Sequence, residues 1–315
     1  MGVETEILRA DGTGVARAAA LLRAGSCVAF PTETVYGLGA RADDPTAVAG
    51  IFEAKARPAF NPLIVHVVSL EAAAAIAQFP PEAERLAAAF WPGPLTLVLP
   101  LGADAGIAEA VTADKPTLAL RVPENALARQ LLQEVGLPIA APSANPSGRV
   151  SPTTAAHVIE GLSGRIAAVL DGGPCAVGLE STIVGIADTP KLLRPGGLPT
   201  EAIEACLGQP LAMRSSGGSI TAPGQLASHY APRATLRLNA KTARPGEVFL
   251  GFGPGDFDEN LSQAGDLPEA AARLFAMLRA LDENGAEAIA VSPIPDHGLG
   301  RAINDRLRRA AAPRP

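Results

Sequence analysis

Long apolar runs, metal-ligand spacing and aromatic side chains are what this 315-residue sequence is short of. No stretch reaches the ~18 consecutive apolar residues of a membrane-spanning helix. The N-terminus also lacks a basic-then-apolar signal pattern, so the expectation is a cytoplasmic protein without membrane contact. The three cysteines, Cys27, Cys175 and Cys206, are scattered and odd in number, which excludes a disulfide framework. They read as small buried residues, with a catalytic thiol as the alternative. The four histidines form no metal-ligand spacing with them. Aromatics make up 4% of the chain, with one tryptophan, Trp91, leaving little material for stacking successive bases. Net charge is −6, so the surface as a whole is no footprint for a polyanion and any anion site must be a local pocket. Neither G-x-x-x-x-G-K-[ST] nor a well-placed G-x-G-x-x-G occurs, because Gly251-Phe252-Gly253-Pro254-Gly255 has the wrong spacing. A nucleotide, if bound, needs another architecture.

What is present is a folding chain with many turns: 48% hydrophobic residues, 32 glycines and 29 prolines. The length suits about two domains. Strand and helix signals alternate to about residue 208, predicting one α/β domain. Val15 to Ala24 reads as a helix closed by Gly25, and Ser26 to Phe30 as a buried strand. Asp44-Pro45 is a cap followed by a first-turn proline, opening a helix to about Ala54. Strands are expected at 63–68, 95–101, 117–122, 138–141, 166–170, 181–186 and 191–194, and helices at 71–78, 81–90, 124–135 and 200–207. Residues 209–234 read as a linker or lid, flexible at first and proline-stiffened at its end. Residues 235–315 read as a smaller α/β domain closing on a basic helix, Arg301 to Ala311.

The polar residues gather where strands end. Thr32, Thr34 and Tyr36 alternate after Pro31, so an extended chain puts their hydroxyls on one face or makes a threonine-rich strand edge. Lys55 and Arg57 are two apart before Pro58 and Asn61-Pro62. On a rigid, exposed, extended loop they form a phosphate clamp, and otherwise a solvated surface pair. His66 alternates with apolar neighbours and reads as a core histidine or a ligand. Arg121 ends an apolar strand and needs a partner, a substrate carboxylate being one candidate. Ala141-Pro142-Ser143-Ala144-Asn145, Glu180-Ser181-Thr182 and Arg194-Pro195-Gly196 repeat the plan. The first is no G-x-S-x-G elbow, so it reads as a binding loop. Ligands of open α/β sheets collect at such ends.

Together, Pro31-Thr32-Glu33-Thr34-Val35-Tyr36-Gly37-Leu38, Lys55-x-Arg57, Asn61-Pro62-Leu63, Ala141 to Asn145 and Glu180-Ser181-Thr182 resemble the YrdC-domain family over about residues 12–205. His229-Tyr230-Ala231-Pro232 and Gly298 to Arg306 resemble the long, two-domain form, although Ala222 and Gln225 depart from its usual linker. The resemblance implies an open twisted sheet with helices around a concave cavity, plus a small Rossmann-like α/β domain. It implies a nucleotidyltransferase that turns L-threonine, bicarbonate and ATP into L-threonylcarbamoyl-adenylate and pyrophosphate, with Mg²⁺. A partner transferase complex then modifies tRNA beside the anticodon.

The same resemblance implies that Lys55 and Arg57 hold phosphates and that Asn61, Thr117, Ser143, Ser151 and Arg194 line the ATP site, with Asn145 behind Ser143 and Tyr230 over the nucleotide. It places Thr34, His66, Arg121, Ala141 and Ser181 around threonine, with Thr32 and Tyr36 shaping that pocket. No covalent residue is implied. The competing reading is an RNA-binding translation or ribosome-maturation factor, which the acidic charge and scarce aromatics disfavour. A carbamoyl-adenylating hydrogenase-maturation domain is a further relative, but its zinc-finger and acylphosphatase-like segments are missing.

Overall fold

The computed structural model describes residues 4–186, 189–213 and 229–313. The first strands and helices are β1 (Glu6–Arg9), α1 (Gly12–Arg23), β2 (Val28–Phe30), β3 (Gly37–Arg41), α2 (Pro45–Lys55) and β4 (Ile64–His66). Next come α3 (Leu70–Ala74), α4 (Pro81–Phe90), β5 (Leu95–Pro100), α5 (Glu109–Thr112), β6 (Thr117–Arg121), α6 (Ala126–Val135) and β7 (Ile139–Ala140). Then follow α7 (Ala155–Leu162), β8 (Ala168–Asp171), β9 (Thr182–Gly185), β10 (Lys191–Arg194), α8 (Thr200–Leu207) and β11 (Ala212–Met213). The remainder is β12 (Thr235–Arg237), β13 (Glu247–Gly251), β14 (Glu259–Asn260), α9 (Leu267–Glu283), β15 (Ala288–Val291) and α10 (Leu299–Ala311).

Eleven strands form one mixed sheet in the order β1-β8-β2-β3-β7-β4-β6-β5-β9-β10-β11. Four more form a second, all-parallel sheet, β12-β15-β13-β14. The α/β class with a large sheet and a small second layer is as expected. Local chemistry set most of the helices. Asp44 accepts from the backbone N–H groups of Thr46 and Ala47 with Pro45 in the first turn, and Gly136 ends α6 at φ 70°.

One strand was not anticipated, and two expectations fail. Gly37–Arg41 is a strand hydrogen-bonded between β2 and β7, despite lacking β-branched residues. Residues 31–36 are a bend rather than an extended strand. Thr32 Oγ1 accepts from the N–H groups of Thr34 and Val35 and bonds the Val35 carbonyl, a hydroxyl-closed turn. Thr32 and Thr34 therefore meet at 2.7 Å, while Tyr36 points away. The second failed expectation concerns Lys55, which lies on no exposed loop. It is the last residue of α2 and is 1% exposed. The helix stops at Ala56, whose φ of 48° is left-handed. That strained turn throws Arg57 off the helix and into the loop.

Loop residues beside the large sheet join the core of the second unit. Val35, Val150 and Leu179 pack into the apolar cluster of Leu274, Phe275 and Leu278 on α9. A Cβ on Gly178 would stand 2.5 Å from the Ala272 Cα, so the close seating of α9 requires glycine there, which also has a φ of 72°. Within the segment read as a linker, β11 extends the large sheet, and His229 and Tyr230 are buried. Residues 214–228, including Ala222 and Gln225, lie outside the described residues.

Candidate active site

Strand ends converge on a cavity. Thr32, Thr34 and Val35 come from the bend after β2 and Gly37 from the start of β3; Ile64 and His66 come from β4 and Arg121 from the end of β6. Ala141, Pro142 and Ser143 follow β7, Glu180 and Ser181 precede β9, Arg194 ends β10, and Arg57, His229 and Tyr230 complete the wall. The parallel register of β4 and β6 sets His66 beside Arg121. Three guanidiniums face one carboxylate among the described lining residues. The overall acidic chain thus carries a local cationic pocket.

Each charge is braced. Arg121 is 3% exposed. It donates to Glu33 Oε1 at 2.5 Å, to Thr34 Oγ1 at 2.9 Å and to the Gly93 carbonyl at 3.2 Å. Glu33 Oε2 accepts from the N–H groups of Glu124 and Asn125 at the start of α6, where a helix terminus favours an anion. The in-chain partner of Arg121 is therefore Glu33, a residue the sequence reading left without a role. Arg57 donates to the Asn61 and Pro62 carbonyls. Burial lowers its pKa to about 10, so it remains a cation at pH 7. Arg194 donates through Nε and Nη2 to the Ser181 carbonyl, and Ser181 Oγ pairs with Thr96 Oγ1 at 2.7 Å.

The two histidines of the cavity wall, His66 and His229, are neutral. Burial, then the Arg121 charge, pushes His66 down to about 3, and its Nδ1 is buried with no partner. Burial likewise takes His229 to about 3. Burial also opposes the charge of Glu180. The guanidiniums of Arg306 and Arg194, with the Ser151 and Arg306 hydrogen bonds, outweigh it and hold that carboxyl at about 2.

Residues 20–196 match the Sua5/YciO/YrdC family model, whose description reads "Telomere recombination". Residues 198–312 match the "Threonylcarbamoyl-AMP synthase, C-terminal domain" model. The chain belongs to the Sua5/YciO/YrdC family. The threonylcarbamoyl-AMP synthase of Bacillus subtilis is 43% identical, over 98% of this chain and 96% of its own. That of Pyrococcus abyssi is 43% identical over 93% of each. A crystal structure of P. abyssi Sua5 complexed with L-threonine superposes with a TM-score of 0.89 at 40% identity, covering 98% of this chain and 97% of that one.

In this Sua5/YciO/YrdC chain ten of the residues singled out from sequence line the cavity: Thr32, Thr34, Arg57, His66, Arg121, Ala141, Ser143, Ser181, Arg194 and Tyr230. Six do not. Tyr36 donates to the Gly173 carbonyl at 2.8 Å on the far side of its bend. Lys55 Nζ donates to the Ser143 and Asn145 carbonyls, and burial, then Arg57, pushes its pKa well down. It braces the loop rather than facing the cavity with Arg57. Asn145 Nδ2 bonds the Pro146 and Arg149 carbonyls, and the Ser151 hydroxyl bonds Glu180. Thr117 stands at the opposite end of β6 from Arg121. Asn61 is 0% exposed, with both side-chain amide atoms unpartnered.

Sequence reasoning missed Glu180, His229, Val35, Gly37, Ile64 and Pro142 as lining residues, although each adjoins a motif residue. Immediate flanks of a strand-end motif were the available signal.

None of the three cysteines lines this site. Burial raises Cys27 to about 11 and Cys175 to about 12, so neither is a thiolate at neutral pH. Cys206 is partly exposed. Thiol titration at pH 7.5 should find one reactive group in the native protein and three after denaturation. Rapid labelling of Cys175 in the native state would contradict this burial.

Proposed function

We infer that this chain converts L-threonine, bicarbonate and ATP into L-threonylcarbamoyl-adenylate and pyrophosphate, on the path to threonylcarbamoyladenosine in tRNA. The observation that carries the reading is the cavity itself: Arg57, Arg121 and Arg194 beside a cluster of small hydroxyls, in a chain aligned nearly end to end with threonylcarbamoyl-AMP synthases. The chain's net charge of −6 confines its cationic surface here to one pocket, which favours a nucleotide and an amino acid over a grip on RNA.

The chemistry needs no enzyme nucleophile. The threonine nitrogen attacks the carbon of CO₂ released from bicarbonate and loses a proton, giving a carbamate. A carbamate oxygen attacks the α-phosphorus, the bond to the β-phosphate bridging oxygen breaks, and pyrophosphate leaves. Orientation of the two reactants supplies roughly 7–11 kcal/mol in favourable cases, and fixed cations offset the developing charge. Arg57 and Arg194 take the phosphates, with Ser143 and Tyr230 along the nucleotide. Thr34, His66, Ala141 and Ser181 enclose threonine. Three N–H groups of Arg121 are engaged within the chain, and its remaining two are offered to the threonine carboxylate. Asn61, with its amide unpartnered, and Thr117 and Ser151 support the ATP side from outside the lining.

Mg²⁺ belongs to this reading only as the counter-ion of ATP. Among the described residues no group of three His, Cys, Asp or Glu is placed to hold a metal. Glu180 is committed to Arg306 and Ser151. In the same reading residues 1–208 carry the reaction and 235–315 close it across 209–234. A transferase must consume the labile adenylate. No described helix is long and apolar enough to cross a membrane, and the cytoplasm holds the substrates.

The decisive assay is pyrophosphate release from ATP with threonine or bicarbonate omitted in turn. Release should require both. Turnover independent of either would sink the assignment, and RNA affinity falling steeply with salt without turnover would favour the translation-factor reading.

A further inference from the structure

The C-terminal unit sets a buried charge against the wall of the cavity. Arg306 on α10 is 0% exposed and is the largest fully buried residue among those described. Its Nε donates to Glu180 Oε2 at 2.7 Å, and its Nη1 donates to the Pro195 carbonyl at 3.1 Å and to Asp305 Oδ2 at 2.7 Å. Its guanidinium carbon stands 5.0 Å from the centroid of the Tyr230 ring. Phe275 stacks on that ring at 5.7 Å. Glu180 and Tyr230 line the cavity, and Pro195 follows Arg194, which also does. Tyr230 keeps a left-handed backbone, φ 63°, in this grip, a conformation a non-glycine residue holds only when its surroundings impose it.

Glu180 is the sole acidic side chain among the described lining residues. In a pocket that takes a triphosphate, an uncompensated carboxylate repels the substrate, and low dielectric strengthens the repulsion. Ser151 satisfies one carboxylate oxygen with a neutral hydroxyl, whereas Arg306 supplies a full positive charge to the other.

We propose that Arg306 is a positioning residue for ATP: it neutralises Glu180 in the cavity wall. This rests on the nucleotide-using reading above. The C-terminal unit then acts on the chemistry without touching a substrate, by keeping the field of Arg57 and Arg194 from being cancelled. The effect falls on ATP and spares threonine, whose side of the cavity is set by Arg121.

The full-length protein tests it, with ATP Kd from calorimetry and with KM and kcat from pyrophosphate release. Arg306→Met should raise ATP Kd and KM at least about tenfold and change threonine KM by less than about threefold. Glu180→Gln combined with Arg306→Met removes both charges, keeps an acceptor for Ser151, and should return ATP Kd to within about threefold of wild type. A purely structural arginine would not be rescued by deleting its partner's charge. Overturning results are an unchanged ATP Kd in the single variant, or a double variant binding as weakly as the single. If Arg306→Met does not fold, the double variant decides alone: wild-type ATP affinity supports the proposal, and lost affinity overturns it. Wild-type ATP binding without threonine-dependent pyrophosphate release would sink the assigned reaction while the Kd comparison still judged Arg306.

Discussion

Arg57→Ala lowers kcat/KM for ATP by about 100- to 1,000-fold, the usual cost of one preorganised charge at a reacting phosphate. Arg57 lines the cavity and remains cationic. What it gives up to the fold is modest: hydrogen bonds to the carbonyls of Asn61 and Pro62 at 3.1 to 3.4 Å. The melting temperature should therefore move by only a few degrees.

Its sequence neighbour behaves in the opposite way. Lys55→Ala takes the Nζ donor from the Ser143 and Asn145 carbonyls and leaves the second unsatisfied, the first keeping the Asn145 N–H. An unsatisfied group costs about 1–3 kcal/mol, so the protein should melt several degrees lower, at roughly 2–4 °C per kcal/mol. Activity falls with the loop that Lys55 braces. Parallel melting and ATP-dependence measurements separate the two residues. Equal losses of stability with equal losses of ATP use would mean that the helix end does not divide their roles.

Arg121→Ala should be the most damaging single change to stability. It leaves Glu33, 6% exposed, with no cation beside it. Breaking a buried pair from one side costs about 3–5 kcal/mol, which is about 6–20 °C in melting temperature at the same conversion. The α6 terminus that Glu33 also caps loosens with it. Threonine binding should fall as well, because the guanidinium is part of the wall. A double variant, Glu33→Gln with Arg121→Met, separates the effects by regaining most of the melting temperature without regaining threonine affinity. Unchanged melting in Arg121→Ala would show the ion pair to be unimportant. Full threonine use in the double variant would remove Arg121 from the substrate site.

The sequence was legible where its signals are local. Caps and glycine stops are satisfied within a few residues, so the starts of α2 and the end of α6 follow from Asp44-Pro45 and Gly136. It was illegible where a neighbour in space decides. Gly37–Arg41 has weak strand propensity and is held as β3 because strands on both sides complete its hydrogen bonds. The helix α7 went unread, although Thr154 caps it, because Ser151-Pro152-Thr153-Thr154 reads as loop.

By itself, then, the sequence determined that the chain is α/β, that its polar motifs sit at strand ends, and that any anion site must be a local pocket. These follow from periodicity, turn chemistry and net charge, which are carried by short stretches or by the whole composition. Tertiary structure alone decided which charges face the cavity. Arg121 meets Glu33 across 88 positions and Arg306 meets Glu180 across 126. A single left-handed residue, Ala56, turns Lys55 inward and Arg57 to the pocket. Desolvation makes each buried charge find a partner, but distance along the chain gives no hint of which partner that is.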